Sequence, residues 1–250
     1  MDTLSTDAHI DALDSAGKAL LDAASAAGPD AEVTACPGWR VRDLLRHITM
    51  VHRWATAFIV EGHTSYHPDG GETDLDGDAL LAYVRDGHAR LVTALREAPA
   101  DLECWTFLPA PSPLAFWARR QAHETTVHRA DAESALASGP GPVDPALAAD
   151  GVDELLRAFH GRDRSRVRTP EPRTLRVRAT DTGDVWTVRL SPEAPRTRTD
   201  AEGPADCEVS GPADRLYLTL WNRLPQEAVT VTGDASLAKL WRENSAITWS

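Results

Sequence analysis

Cysteine is scarce in this chain of 250 residues: Cys36, Cys104 and Cys207 stand far apart. An odd, sparse set excludes a disulfide framework and a cysteine-built metal cage, and it reads as three small buried side chains rather than nucleophiles. Long apolar runs are missing too. None approaches the roughly 18 residues that a membrane-spanning helix needs, so no membrane partner is expected. The opening stretch, Met1 to Asp14, is acidic and has neither the basic start nor the apolar core of a signal peptide, which predicts a cytoplasmic protein. Positive charge is in deficit, with 26 Lys and Arg against 38 Asp and Glu and a formal net charge of -12. That average field repels nucleic acid. The one basic cluster, Arg157 to Arg178, reads as a solvated connector. Internal repeats and low-complexity segments are absent.

What is present is a globular composition, 42% hydrophobic and 26% charged. Apolar residues recur at helical spacing from about Thr6 to Ala27, stopping at Gly28-Pro29. They recur again after Cys36-Pro37-Gly38 as far as about Val60, where Val41, Leu44, Leu45, Ile48, Val51, Ala55 and Ile59 form one stripe. A third helix is predicted over Asp78 to Ala98 and a fourth from about Pro113 to Ser138. Together they suggest a four-helix bundle over residues 1–142. Gly139-Pro140-Gly141-Pro142 marks a domain boundary. Beyond it a helix is predicted over Pro145 to His160. Strands are predicted at Thr174 to Ala179 and Asp184 to Leu190, joined by the turn Asp181-Thr182-Gly183-Asp184. Further strands at Cys207 to Ser210 and Ala228 to Thr232, with helices at Pro212 to Asn222 and Ala235 to Glu243, make residues 143–250 a small α+β domain.

Chemistry concentrates on the fourth helix. Glu124 and His128 are four residues apart and project from the same side. If that side faces the bundle core, a carboxylate and an imidazole are buried together, and a metal ion is one partner that satisfies both. His47, beside the apolar stripe of the second helix, offers a third N/O donor. Three such donors are the protein ligand set of a catalytic zinc site with an open position, and nickel, iron or manganese fit the same donors. The competing readings are an intrahelical Glu124–His128 pair and a satisfied boundary histidine at position 47. His52 and His123 are expected on other faces. His63 and His67 are loop residues able to bind metal adventitiously. His88 is expected either to enter the site or to be exposed.

The segment Cys36-Pro-Gly-Trp-Arg-Val-Arg-Asp-Leu-Leu-Arg-His47-Ile48 resembles the Pro-Gly-Trp-x-Val-x-Asp-Leu-x-x-His signature of the mycothiol-dependent maleylpyruvate isomerase family. Glu124-Thr-Thr-Val-His128-Arg-Ala-Asp131 is similar to its second signature. The resemblance implies a DinB-like four-helix bundle with a sterol-carrier-like C-terminal domain, and His47, Glu124 and His128 as the ligands of a divalent metal ion, zinc in the first instance. It extends to Val209–Arg223, where many relatives have Gly in place of Asn222. Mycothiol is the cosubstrate it implies.

An open metal site suits a low-molecular-weight thiol that attacks an electron-poor carbon. The expected function is therefore a metal-dependent isomerase or thiol S-transferase acting on a small-molecule electrophile. Arg223 is the candidate catalytic cation, a bidentate clamp for a carboxylate substrate. Asp131 is placed to orient His128, with a surface pairing to Arg129 as its rival. Trp39 reads as a packing residue at the helix start. A non-catalytic metal-binding sensor or stress-related interaction module is the alternative function, and a lipid- or small-ligand-binding protein using the C-terminal domain is a third.

Overall fold

Ser5 opens the first helix, its hydroxyl accepting from the Ala8 N–H at 3.1 Å, and α1 runs Thr6–Ala27. It ends where Gly28 turns to positive φ. In the second helix, α2 (Val41–Glu61), the Asp43 carboxylate reaches back to the Arg40 N–H at 2.9 Å. Asp76 caps α3 (Gly77–Glu97). Ser112 caps α4 (Pro113–Glu133), with proline in the first turn, where its missing N–H costs nothing. This computed structural model describes residues 4–68 and 70–247. They divide into two units, the first being Leu4–Gly141 and the second starting at Pro142.

In the first unit α1 packs on α3 and α4, and α2 packs on the same two, so that α1–α2 and α3–α4 are the diagonals of a four-helix bundle. Leu20, Leu44, Ile48, Leu80 and Val84 fill one end of its core. The stripe read from α2 is the buried face, except Val51, which is half-buried. α4 is different: it is polar in sequence, yet nearly every side chain from Phe116 to Ala132 is buried. Its polar residues therefore sit where they must find partners.

α4 ends at Glu133 rather than Ser138. Ala135, Leu136 and Gly139 donate to carbonyls only three residues back, while the Thr34 hydroxyl and the Ala35 N–H bind Ser134. Contacts distant in sequence overrode a good local helix former.

The second unit begins with α5 (Pro145–Asp153), which continues as a π-helical segment over Glu154–Phe159. The single helix expected to His160 thus widens in its last turns. A five-stranded sheet follows: β1 (Arg173–Ala179), β2 (Val185–Leu190), β3 (Arg196–Arg198), β4 (Cys207–Gly211) and β5 (Thr230–Gly233), in the order β3-β2-β1-β4-β5. β1 and β2 form the expected hairpin, with Val177 opposite Trp186 and Leu175 opposite Val188, all four fully buried. β1 pairs with β4 in parallel, whereas the other pairs are antiparallel. β3, Arg-Thr-Arg, carries no apolar residue and was invisible to a search for alternation. α6 (Ala213–Leu220) and α7 (Ala235–Asn244) complete the unit. The fold class is the α+β architecture expected: a helical bundle followed by a small mixed sheet domain. Among the described residues no helix is long and apolar enough to cross a membrane.

Candidate metal centre

Helix periodicity places Glu124 and His128 one turn apart on α4, and His47 approaches from α2. One ligand atom from each of the three lies within 4.8 Å of the others. Glu124 Oε1 is 3.2 Å from His128 Nε2 and 3.8 Å from His47 Nε2. Donors about 2.0–2.2 Å from a tetrahedral zinc ion stand roughly 3.3–3.6 Å from one another. The spacing and the donor chemistry fit a divalent cation.

The surroundings reinforce that fit. His128 Nδ1 donates to Asp131 Oδ2 at 2.8 Å, which leaves Nε2 facing Glu124 and His47. Arg129 pairs with Glu133, at 3.4 Å. Burial works against a charged His128, but its bonds to Asp131 and Glu124 outweigh burial and raise its pKa to about 9. Burial likewise works against a charged Glu124, yet bonds from His128 and His47 and the charge of Arg120 hold it well below the usual carboxylate range. The pocket is thus arranged around positive charge. The Trp39 ring meets the His47 ring edge-on at 5.2 Å, and the His47 and His128 rings are 5.0 Å apart.

The remaining candidates fall elsewhere. His52 is buried, with Nε2 2.9 Å from Thr125 Oγ1. His123 meets the His9 ring of α1, at 6.0 Å. His63 and His67 stack at 4.0 Å in the loop after α2, where His63 also lies 3.0 Å from Glu61. His88 corrects the sequence reading: it is neither a member of the triad nor exposed, but is 4% exposed on α3 with its ring over Gly17. Arg223 belongs to the second unit, just after α6, where its Nη1 donates to the Trp221 carbonyl at 2.9 Å. Sequence reasoning passed over Arg120. Its Nη2 donates to Glu124 Oε2 at 3.2 Å, and its side chain is only 2% exposed. The signal was there in Arg120-x-x-x-Glu124-x-x-x-His128, a third residue in the same helical row.

Two family models account for the chain. The mycothiol maleylpyruvate isomerase N-terminal domain matches residues 10–133, and the MDMPI C-terminal domain matches residues 146–240. The chain belongs to the mycothiol maleylpyruvate isomerase family. Membership makes it an enzyme. The crystal structure of the mycothiol-dependent maleylpyruvate isomerase is 15% identical, with a TM-score of 0.65 over 93% of this chain and 96% of that one. A histidine-to-alanine variant of that enzyme is 14% identical, with the same TM-score and coverage. At that identity the likeness establishes a shared fold. No curated protein matches. Burial raises the pKa of Cys104 and Cys207, so neither is primed as a nucleophile.

Proposed function

We propose that this member of the family is a zinc-dependent enzyme that uses a low-molecular-weight thiol, mycothiol, to isomerise an electrophilic small molecule or to become conjugated to it. The observation that carries the reading is the convergence of His47, Glu124 and His128 on one point with Asp131 behind His128. Three N/O donors leave a position for an external ligand. A divalent metal held there supplies the positive charge that favours the thiolate form of a thiol at neutral pH. The chain's own part is positional. Asp131 keeps His128 in the tautomer whose Nε2 faces the site. Trp39 packs edge-on against the His47 ring. The unprimed state of Cys104 and Cys207 supports an attacking thiol from outside the chain.

The test has two stages on the full chain. Metal analysis of purified wild type and His47→Ala comes first: one divalent ion per wild-type chain is expected, with loss in the variant. Full metal content in His47→Ala removes the ligand set. The metal-loaded protein is then incubated with mycothiol and a panel of electrophiles that includes maleylpyruvate. Turnover with at least one is expected. Inertness of the loaded protein toward the whole panel overturns the mycothiol-dependent reading.

A further inference from the structure

Trp117, Glu124, Thr125 and His128 surround Gln121 on the surface of α4, and each meets a side chain of α2. The Trp117 ring lies 5.5 Å from that of Trp54. Glu124 lies 3.8 Å from His47, the His128 ring is 5.0 Å from the His47 ring, and Thr125 Oγ1 is 2.9 Å from His52 Nε2. Gln121 stands one turn after Trp117 and one turn before Glu124 and Thr125, so it faces α2 as they do. It is 1% exposed, and its amide oxygen Oε1 is buried and meets no donor among the described residues.

The facing helix shows a matching gap. His47, Val51 and Trp54 follow one another at i, i+4 and i+7 of α2. All three are half-buried, whereas Ile48, His52 and Ala55 beside them are buried. Val51 thus lies opposite Gln121, between the contact of His47 with Glu124 and that of Trp54 with Trp117. A groove runs along this margin from the metal centre, with an unmet acceptor in its wall.

We infer that this groove seats the thiol cosubstrate and that Gln121 selects a thiol carrying a secondary amide two carbons from its sulfur, as a cysteine-derived thiol does. The inference rests on the triad being a metal site that holds a thiol. The polarity of the unmet group chooses the ligand. Oε1 accepts, so its partner must donate. A ketone or carboxylate on the electrophile offers acceptors only, whereas the N–H of a secondary amide is a donor without charge. The spacing agrees. Side chains three apart on a helix have Cβ atoms about 5–6 Å apart, which brings the Gln121 amide within reach of a group two carbons from a sulfur held beside Glu124. A site with a buried polar group of this kind rejects an analogue that lacks the complementary atom, because the group is then left unpaired.

The experiment changes one atom on the ligand and one side chain on the full-length protein. N-acetylcysteamine carries the amide N–H. 2-Mercaptoethyl acetate is the same thiol with an ester oxygen in its place. Each is titrated into the cobalt(II) form of wild type and of Gln121→Met, a variant of similar length without the amide, and binding is read from the sulfur-to-cobalt charge-transfer absorption. Wild type is expected to bind the amide thiol about tenfold more tightly than the ester. In Gln121→Met the two affinities should fall within about twofold of each other. Equal affinities in wild type overturn the proposal and need no variant, as does an amide preference that survives unchanged in Gln121→Met; Gln121→Leu repeats the comparison if the methionine variant does not fold. An amide satisfied by water alone gives the first of these results. Failure of the underlying reading is distinct: a wild-type chain that takes up no cobalt rejects the ligand set, and a cobalt form without a charge-transfer band for either thiol rejects thiol binding at the metal.

Discussion

His128 Nδ1 donates to Asp131 Oδ2 across 2.8 Å, and Asp131 is completely buried. The pair sits at i and i+3 of α4, so helix geometry alone holds the carboxylate behind the imidazole. Such a partner fixes the ring and increases the basicity of the nitrogen on its far side. Replacing it typically costs 10–100-fold in metal affinity. Asp131→Asn is expected to keep the bundle, because an amide oxygen still accepts from Nδ1, and to weaken zinc binding by about tenfold. Chelator competition reads the change, with circular dichroism as the control for folding. Unchanged affinity would mean that the carboxylate charge has no bearing on the metal.

Gly17 of α1 lies under the His88 ring so closely that an added Cβ would stand 2.2 Å from Cε1. Alanine in an open helix interior is worth about 1 kcal/mol over glycine. Here overpacking, about 1–3 kcal/mol, opposes it and wins, because the ring is wedged between helices and its Nε2 already approaches the Asp14 carbonyl at 3.3 Å. Gly17→Ala is expected to lower stability by about 1–2 kcal/mol. In a His88→Ala background the sign should reverse, since the ring is gone and only helix propensity is left. Denaturant unfolding of the four proteins in this cycle measures the inversion, and a destabilising Gly17→Ala in both backgrounds contradicts the contact.

His88 also shows where a sequence is legible and where it is not. The period of Leu44, Leu45, Ile48 and Ala55 announced a buried face on α2, and the caps at Ser5 and Asp76 lie at the helix starts. These are local signals. The Glu124–His128 row could be read from spacing, and the partnership with His47 from the family signature. Which glycine His88 would meet depends on how α1 crosses α3, and no local pattern carries that. β3 was missed because an Arg-Thr-Arg edge strand has no buried face to alternate. The end of α4 was overrun because the hydrogen bonds that end it come from Thr34 and Ala35, about a hundred residues earlier. Arg120 was overlooked for a different reason: a charged residue on a helix is ordinarily solvated, and only its burial marks it.

Asn222 is the one non-glycine among the described residues with positive φ, at 63°. Glycine is the residue best suited to this left-handed turn, and asparagine tolerates it as well. Its amide also donates to the Arg242 carbonyl at 3.0 Å and to Ser245 Oγ at 3.3 Å, tying the end of α6 to α7. Asn222→Gly keeps the turn and loses the bonds. Asn222→Ala loses the bonds and adds about 1–2 kcal/mol of backbone strain. The expected order of stability is Asn, then Gly, then Ala, with about 1 kcal/mol between the last two. Equal stability of the glycine and alanine variants would rule out the strain.

His160 gives the second unit a dependence on acid. It is 2% exposed, its Nδ1 lies 2.9 Å from Ser165 Oγ, and its ring meets Trp241 at 4.6 Å. Burial lowers its pKa to about 4, with Arg162 and Arg166 pushing the same way against a bond to the Ser245 backbone. In the unfolded chain a histidine takes up its proton near pH 6.5. Between those values the unfolded state binds a proton that the native state refuses. The folded form is therefore undiminished above about pH 6.5, loses about 1.4 kcal/mol per pH unit as pH falls, and reaches a floor below about pH 4. The total is about 3 kcal/mol. His160→Phe keeps a ring against Trp241 and removes the titration. Other groups titrate alike in both proteins, so the difference between their unfolding free energies at pH 7.5 and pH 4 isolates this one. The variant should gain about 3 kcal/mol on wild type over that interval, whereas parallel pH profiles would show that His160 accepts its proton in the folded chain.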